Sequence, residues 1–143
     1  MSHYDFFVAG RWRNKDNVVA LARGIRERGY TTYCFLESEH NADKTEVDPH
    51  AHMKEFEGLD WRNDAYVKRV FDEDMEGEKA SDTFVLLLPA GKSCHIEAGV
   101  AYGLGKKCVV IGEVKEAESL YLVFGEHYGS TDEFLHSLQS KPS

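Results

Sequence analysis

Phe84-Val85-Leu86-Leu87-Leu88 is an unbroken apolar run, opened by Asp82-Thr83 and stopped by Pro89. No polar residue alternates within it. As a strand it therefore needs cover on both faces, which places it at the centre of a mostly parallel sheet with helices above and below. An antiparallel sheet with one wet face would show alternation here instead.

The rest of the chain fits around this strand. Phe6-Phe7-Val8-Ala9 is a second short apolar run, ended by Gly10. Val18, Leu21, Ala22 and Ile25 recur at helical spacing from about Asp16, and Gly29 stops them. Thr31 to Leu36 is rich in β-forming residues. Trp61 to Lys79 reads as a helix with Ala65, Val67, Val70, Phe71 and Met75 on its inner face. Ser93 is the expected N-cap of a helix that runs to Leu104 and closes at Gly105. Lys107 to Ile111 and Leu120 to Phe124 are the expected fourth and fifth strands, and Thr131 to Gln139 the last helix. Residues 37–60 hold no period and are acidic, so they read as a long loop with a short helix near Met53 to Phe56.

This order predicts an α/β, flavodoxin-like three-layer sandwich in one domain spanning 1–143. Its five-stranded sheet takes the order 2-1-3-4-5, the arrangement that keeps the crossovers right-handed. Strands one and three then flank the topological switch point, where ligands of such sheets bind outside the carboxyl ends of the strands. The loops at that mouth are Gly10 to Asn14 and Pro89 to Ser93.

Charge and cysteine content narrow the function classes. A formal net charge of −8 gives no basic surplus for gripping a nucleic-acid backbone. Cys34, Cys94 and Cys108 are odd in number and widely spaced, which points to free thiols and a reducing cytoplasm. No segment reads as a signal peptide or a membrane span.

Five groups of residues carry candidate chemistry. Glu97 falls one turn into the helix after the second loop, where the helix dipole is expected to favour its ionised form. An ionised carboxylate there suits a nucleophile, or a group that steadies positive charge on a sugar ring. The alternative is a helix-start glutamate that only complements the dipole. A second carboxylate is available from Asp72 or Asp74, inside the acidic run Asp72 to Glu76. In the first loop, Arg11 and Arg13 can hold a phosphate bidentately and Trp12 can stack on a base. Cys94 sits near a helix start beside His95, but neighbouring helical residues point apart, which weakens a nucleophilic cysteine. His40, His50 and His52 with Asp43, Glu46 and Asp48 match no zinc spacing, so no metal and no cofactor is expected.

The segment Ser81-Asp82-Thr83-Phe84-Val85-Leu86, followed by Glu97-Ala98-Gly99-Val100-Ala101-Tyr102-Gly103-Leu104-Gly105-Lys106-Lys107, resembles the nucleoside 2-deoxyribosyltransferase superfamily. That superfamily includes deoxynucleoside 5′-phosphate N-hydrolases. The resemblance implies that Glu97 is the nucleophile. It also implies a catalytic Asp eight residues before the Asp that opens the central strand, which is Asp74 counted back from Asp82. Two departures stand out. Lys107-Cys108 replaces the usual proline after Gly-Lys, and Arg11-Trp12-Arg13 replaces small residues in the first loop.

The expected function is cleavage of the N-glycosidic bond of a nucleoside or nucleoside 5′-monophosphate, with water or a second base as acceptor. Glu97 and Asp74 are the expected catalytic pair. Gly10, Arg11, Trp12, Arg13, Asp82, Gly91 and Ser93 are the expected substrate-binding set. The competing reading is a non-catalytic or NAD-directed nucleotide-binding domain similar to the Toll/interleukin-receptor type. The expected partners are a small nucleoside or nucleotide and further copies of the chain, with no nucleic acid and no membrane. A homodimer or larger assembly rests on the resemblance and on Tyr121, Phe124, Tyr128 and Phe134, aromatics available for an interface.

Overall fold

A computed structural model describes residues 3–37 and 60–142. The strands are β1 (Tyr4–Ala9), β2 (Thr32–Cys34), β3 (Ser81–Leu87), β4 (Lys107–Ile111) and β5 (Glu126–Tyr128). The helices are α1 (Lys15–Glu27), α2 (Ala65–Lys79), α3 (Lys92–Gly103) and α4 (Thr131–Ser137). The strands form one sheet in the order β2-β1-β3-β4-β5, and every pairing is parallel. The fold class read from the sequence is the fold found. The loop over 37–60, its histidines with Asp43, Glu46 and Asp48, and the short helix near Met53 lie outside the described residues, save Glu37 and Asp60 themselves.

The strand pleat divides the core in two. Phe6, Val8, Val85, Leu87, Val109 and Ile111 point to one face and pack against Val18, Leu21, Ala22 and Ile25 of α1 and Phe134 of α4. Phe7, Ala9, Phe84, Leu86, Cys108 and Val110 point to the other and pack against Cys94, Ala98 and Ala101 of α3. This period-two alternation of buried side chains is what a strand covered on both faces requires.

Several boundaries differ from the sequence reading. Leu120 to Phe124 is not a strand: Ser119–Val123 forms a 3-10 turn, with Leu120 and Leu122 71% and 85% exposed. Pairing with β4 starts only after Gly125, whose N–H donates to the Cys108 carbonyl at 3.0 Å. Helix α2 starts at Ala65 rather than Trp61, because the Asp64 carboxylate accepts the Val67 N–H at 3.0 Å and caps it. Its expected inner face is also wrong at Ala65 and Phe71, both exposed, while the residues it buries are Gly77 and Glu78. Ser93 is not an N-cap. Gly91 holds that position in extended backbone, and Ser93 lies exposed in the first turn of α3.

The aromatics expected at an interface are used within the chain. Phe134 is buried, Tyr128 meets it edge-on at 5.4 Å, and Tyr121 lies 5.7 Å from Phe124. They complete the sheet edge and give no argument for assembly. No helix among the described residues is long and apolar enough to cross a membrane.

Candidate active site

Strands β1 and β3 are neighbours whose following helices lie on opposite faces, so the switch point opens between their carboxyl ends. Gly10 ends β1 there. A Cβ at Gly10 would lie 2.3 Å from Val18 Cγ2, so the glycine lets α1 close onto the strand. Gly91, at the second loop, has open space where a Cβ would go, so its backbone is approachable. Helices α2 and α3 run side by side over the second face of the sheet, and the groove between them holds the acidic side chains.

Glu97 points into this groove from α3. Burial first, and the charges of Asp74 and Glu78 next, hold its carboxyl well above the usual carboxylate range. The expectation of a dipole-favoured anion is thereby overturned. Glu97 is the sixth residue of α3, past the first turn in which the dipole acts, and desolvation beside two like charges outweighs what remains. Asp74 faces the groove from α2 and accepts a hydrogen bond from the Tyr33 hydroxyl at 3.0 Å. Burial and the nearby acids, Asp74 foremost, raise the Tyr33 phenol far above its ordinary value, so it remains a donor. Tyr33 is itself fixed by stacking on Phe7 at 5.2 Å. A Cβ at Gly77 would approach Tyr33 to 2.9 Å, so glycine there lets α2 lie against the ring.

The structure thus brings Glu97 and Asp74 together and separates Asp72 from them. Asp72 is exposed and pairs with Lys68 at 3.0 Å on the outer side of α2. Arg11 is half-buried and close enough to Cys94 for its charge to bear on that thiol. Arg13 is exposed one step further out. Cys94 is pushed up to about 12, by burial first and the Glu97 charge second. It is a thiol at neutral pH, which removes it as a nucleophile.

Two expected substrate contacts do not reach the mouth. Trp12 is 4% exposed and packs into the α1 side of the core, with Lys15 Nζ 5.8 Å from its ring centre, so no base can stack on it. Its apolar area wins over its position in a surface turn. Asp82 lies at the amino end of β3, roughly 17 Å below the mouth at the strand rise. It is exposed there, 2.9 Å from His3 Nε2.

Two residues of the site region were not singled out from the sequence, and a third, Tyr121, was named only as an interface aromatic. Tyr33 was hidden inside a β-forming stretch, and Glu78 inside an acidic helix end whose i, i+4 spacing from Asp74 was the available signal. Tyr121 lies 2.7 Å from His95 Nε2, while His95 Nδ1 lies 2.7 Å from the Gly91 carbonyl, tying the 3-10 turn to the second loop.

No family model matches the chain, and no curated protein matches it. Among solved structures it is similar to the 2-deoxyribosyltransferase of the psychrotolerant bacterium Bacillus psychrosaccharolyticus, with a TM-score of 0.61 at 15% identity over 96% of this chain and 98% of that one. It also matches the CMP N-glycosidase of Clostridium botulinum, with a TM-score of 0.48 at 20% identity over 92% and 95%. At these identities the first likeness establishes the fold, in agreement with the resemblance read from the motifs.

Proposed function

We propose that this protein is an enzyme that breaks the N-glycosidic bond of a nucleoside or nucleoside 5′-monophosphate, with Glu97 as nucleophile and Asp74 beside it. The observation that carries the reading is that Asp74, on one helix, lies close enough for its charge to bear on the buried Glu97 of the next helix, the helix that follows the β1–β3 switch point. Two neighbouring carboxyls are what glycosidic cleavage needs: one to meet the sugar carbon, one to manage the proton or orient the attack. The shared fold with a 2-deoxyribosyltransferase supports the same reaction class.

Alone, Glu97 keeps its proton to higher pH than a solvated glutamate. A sugar ring gaining positive charge beside it favours the anion, so the carboxylate is stabilised most when the bond breaks. The Glu97 proton passes by way of Asp74 to the departing base, the anomeric carbon bonds to Glu97 as its bond to the base breaks, and water or a second base then displaces Glu97 from the sugar. Arg11 at the mouth is placed to take a 5′-phosphate, with Arg13 as an outer contact. Gly91 and Ser93 offer backbone and hydroxyl groups to the sugar. The exposed Ile96, Tyr102, Leu120 and Leu122 supply apolar surface for a homo-oligomer, which light scattering checks.

The test is release of free base from a panel of nucleosides and nucleoside monophosphates, followed by chromatography. Wild-type protein releases base from at least one member, and Glu97→Gln does not. A Glu97→Gln protein that folds and keeps the wild-type rate overturns the assignment.

A further inference from the structure

Among the described residues, Glu78 is the buried acid that the reaction above leaves unused. It is 1% exposed, and neither carboxyl oxygen has a hydrogen-bond partner among the described residues. Its place follows from α2. Gly77 seats the helix against Tyr33, and the next residue turns inward toward α3. Asp74 lies one turn before it, on the same side of the helix, and α2 runs away from the mouth, so Glu78 is the deeper of the two.

The groups around it do not neutralise it. Lys106, just past α3, bears on it weakly and donates its ammonium to the Lys79 carbonyl at 2.9 Å. The Ala101 amide lies near but belongs to the helical ladder of α3. Cys108 of β4 is a buried thiol, Tyr33 of β2 gives its hydroxyl to Asp74, and Glu97 of α3 is a like charge. An anion in such a place is shut off from water and has only the Ala101 amide and the charge of Lys106 to draw on, which leaves it costlier than burying the neutral acid. Burial, with the Asp74 charge second, pushes Glu78 up to about 7.

We propose that Glu78 is a positioning residue for Glu97: it holds a proton behind the Asp74–Glu97 pair and confines the negative charge of the groove to the two carboxyls nearer the mouth. This rests on the proposed role of Glu97 for its meaning in catalysis, and on the geometry of the groove for the proton. Three carboxyls that share a groove titrate as one system. Every ion placed on Glu78 makes the anion of Glu97 harder to form. Replacing Glu78 by a neutral side chain of the same shape therefore lets Glu97 ionise at lower pH.

The experiment follows protonated-carboxyl bands by infrared spectroscopy across pH in the full chain. In Glu97→Gln protein one such band persists near neutral pH, and adding Glu78→Gln removes it. In Glu78→Gln protein alone the Glu97 band titrates at lower pH than in wild type. Where base is released, the acid limb of kcat/KM moves the same way: the two proteins agree at pH 5, where Glu78 is neutral in both, and as pH rises through about 7 Glu78→Gln gains on wild type, by roughly threefold or more at pH 8. Glu78→Leu, which carries no proton, gives the same displacement and serves if the glutamine variant does not fold. Absence of the first band, or superimposable titrations of Glu97 in folded wild-type and variant protein, overturns the proposal. A panel without base release while the bands behave as stated overturns the reaction and leaves the proton on Glu78.

Discussion

Among the described residues two helices cover each face of the sheet, yet the two faces are built from different residues. On the first, α1 buries Val18, Leu21, Ala22, Gly24 and Ile25 against Phe6, Val8, Val85 and Leu87, and α4 adds Phe134. Large side chains close that face. On the second, α3 buries only Cys94, Ala98 and Ala101, and α2 only Gly77 and Glu78. Small residues and an acid leave a groove between these helices, and three carboxyls occupy it. Packing volume is thus concentrated on the side that carries no candidate chemistry, and the reactive side gives up core volume for buried charge.

The sharpest break of this contrast sets one residue from each face side by side. Glu97→Gln is expected to lower base release by on the order of 10³-fold or more, with the melting temperature near wild type. Leu21→Ala on the first face is expected to cost about 2–5 kcal/mol of stability, because it empties volume that α1 and β1 cannot collapse to fill. Its rate at a temperature where it stays folded remains within severalfold of wild type. Denaturant unfolding and base release on both variants check the division. A stability loss from Glu97→Gln as large as that of Leu21→Ala would make the groove part of the core.

A finer division falls within α2. Asp74→Asn is expected to lose on the order of 10²-fold in rate, since it alters the carboxyl beside Glu97. Asp72→Asn removes an exposed pair with Lys68 and is expected to change the rate little and the stability by at most about 0.5 kcal/mol. Steady-state kinetics on the two variants decide it. A sensitive Asp72 and an indifferent Asp74 would reverse the assignment of the helix face.

Much of this was legible in the sequence, and the reasons differ by element. The apolar run in β3 needs two covering layers, and that demand alone leads to the parallel sheet and its switch point. The choice of Asp74 over Asp72 came from the family resemblance, and Asp74 is the one that accepts a hydrogen bond from Tyr33 while Asp72 pairs with Lys68 on the outer side of α2. What failed did so where tertiary context decides. Trp12 looked like a surface turn residue, but its buried area is larger than any loop preference. Leu120 to Phe124 had strand composition, yet only Glu126–Tyr128 can reach β4. The charge state of Glu97 depends on which carboxyls fold against it, and no local pattern encodes that.

The first loop offers a smaller effect at the mouth. Arg11 is half-buried beside Cys94 and Arg13 is exposed. Arg11→Ala is therefore expected to weaken a nucleoside monophosphate by about 1.5–3 kcal/mol in kcat/KM while sparing the matching nucleoside. Arg13→Ala costs less, because solvent screens its contact. Equal losses on both substrates would mean that the loop does not read phosphate.

The last expected effect concerns stability against pH, and it belongs to Glu78. Its proton is held more tightly in the folded chain, at about 7, than at the usual glutamate value of 4.5. The folded state is therefore favoured while the group is protonated in both states, at the acid end. As pH rises through 4.5 the unfolded chain ionises freely and the folded chain does not, so stability falls. Above about 7 the folded chain bears the full cost of a buried anion and the loss levels off. Glutamine at position 78 has no such dependence. Between pH 5 and 8, wild type is expected to lose on the order of 2 kcal/mol relative to Glu78→Gln. Urea unfolding of both proteins at several pH values gives the difference directly, since groups common to both cancel except where Glu78 acts on them. Glu97 is such a group, and repeating the pair in Glu97→Gln protein removes its share. Parallel stability curves in that background would mean that Glu78 ionises as freely in the groove as in water, and the second face would then be held by packing in the same way as the first.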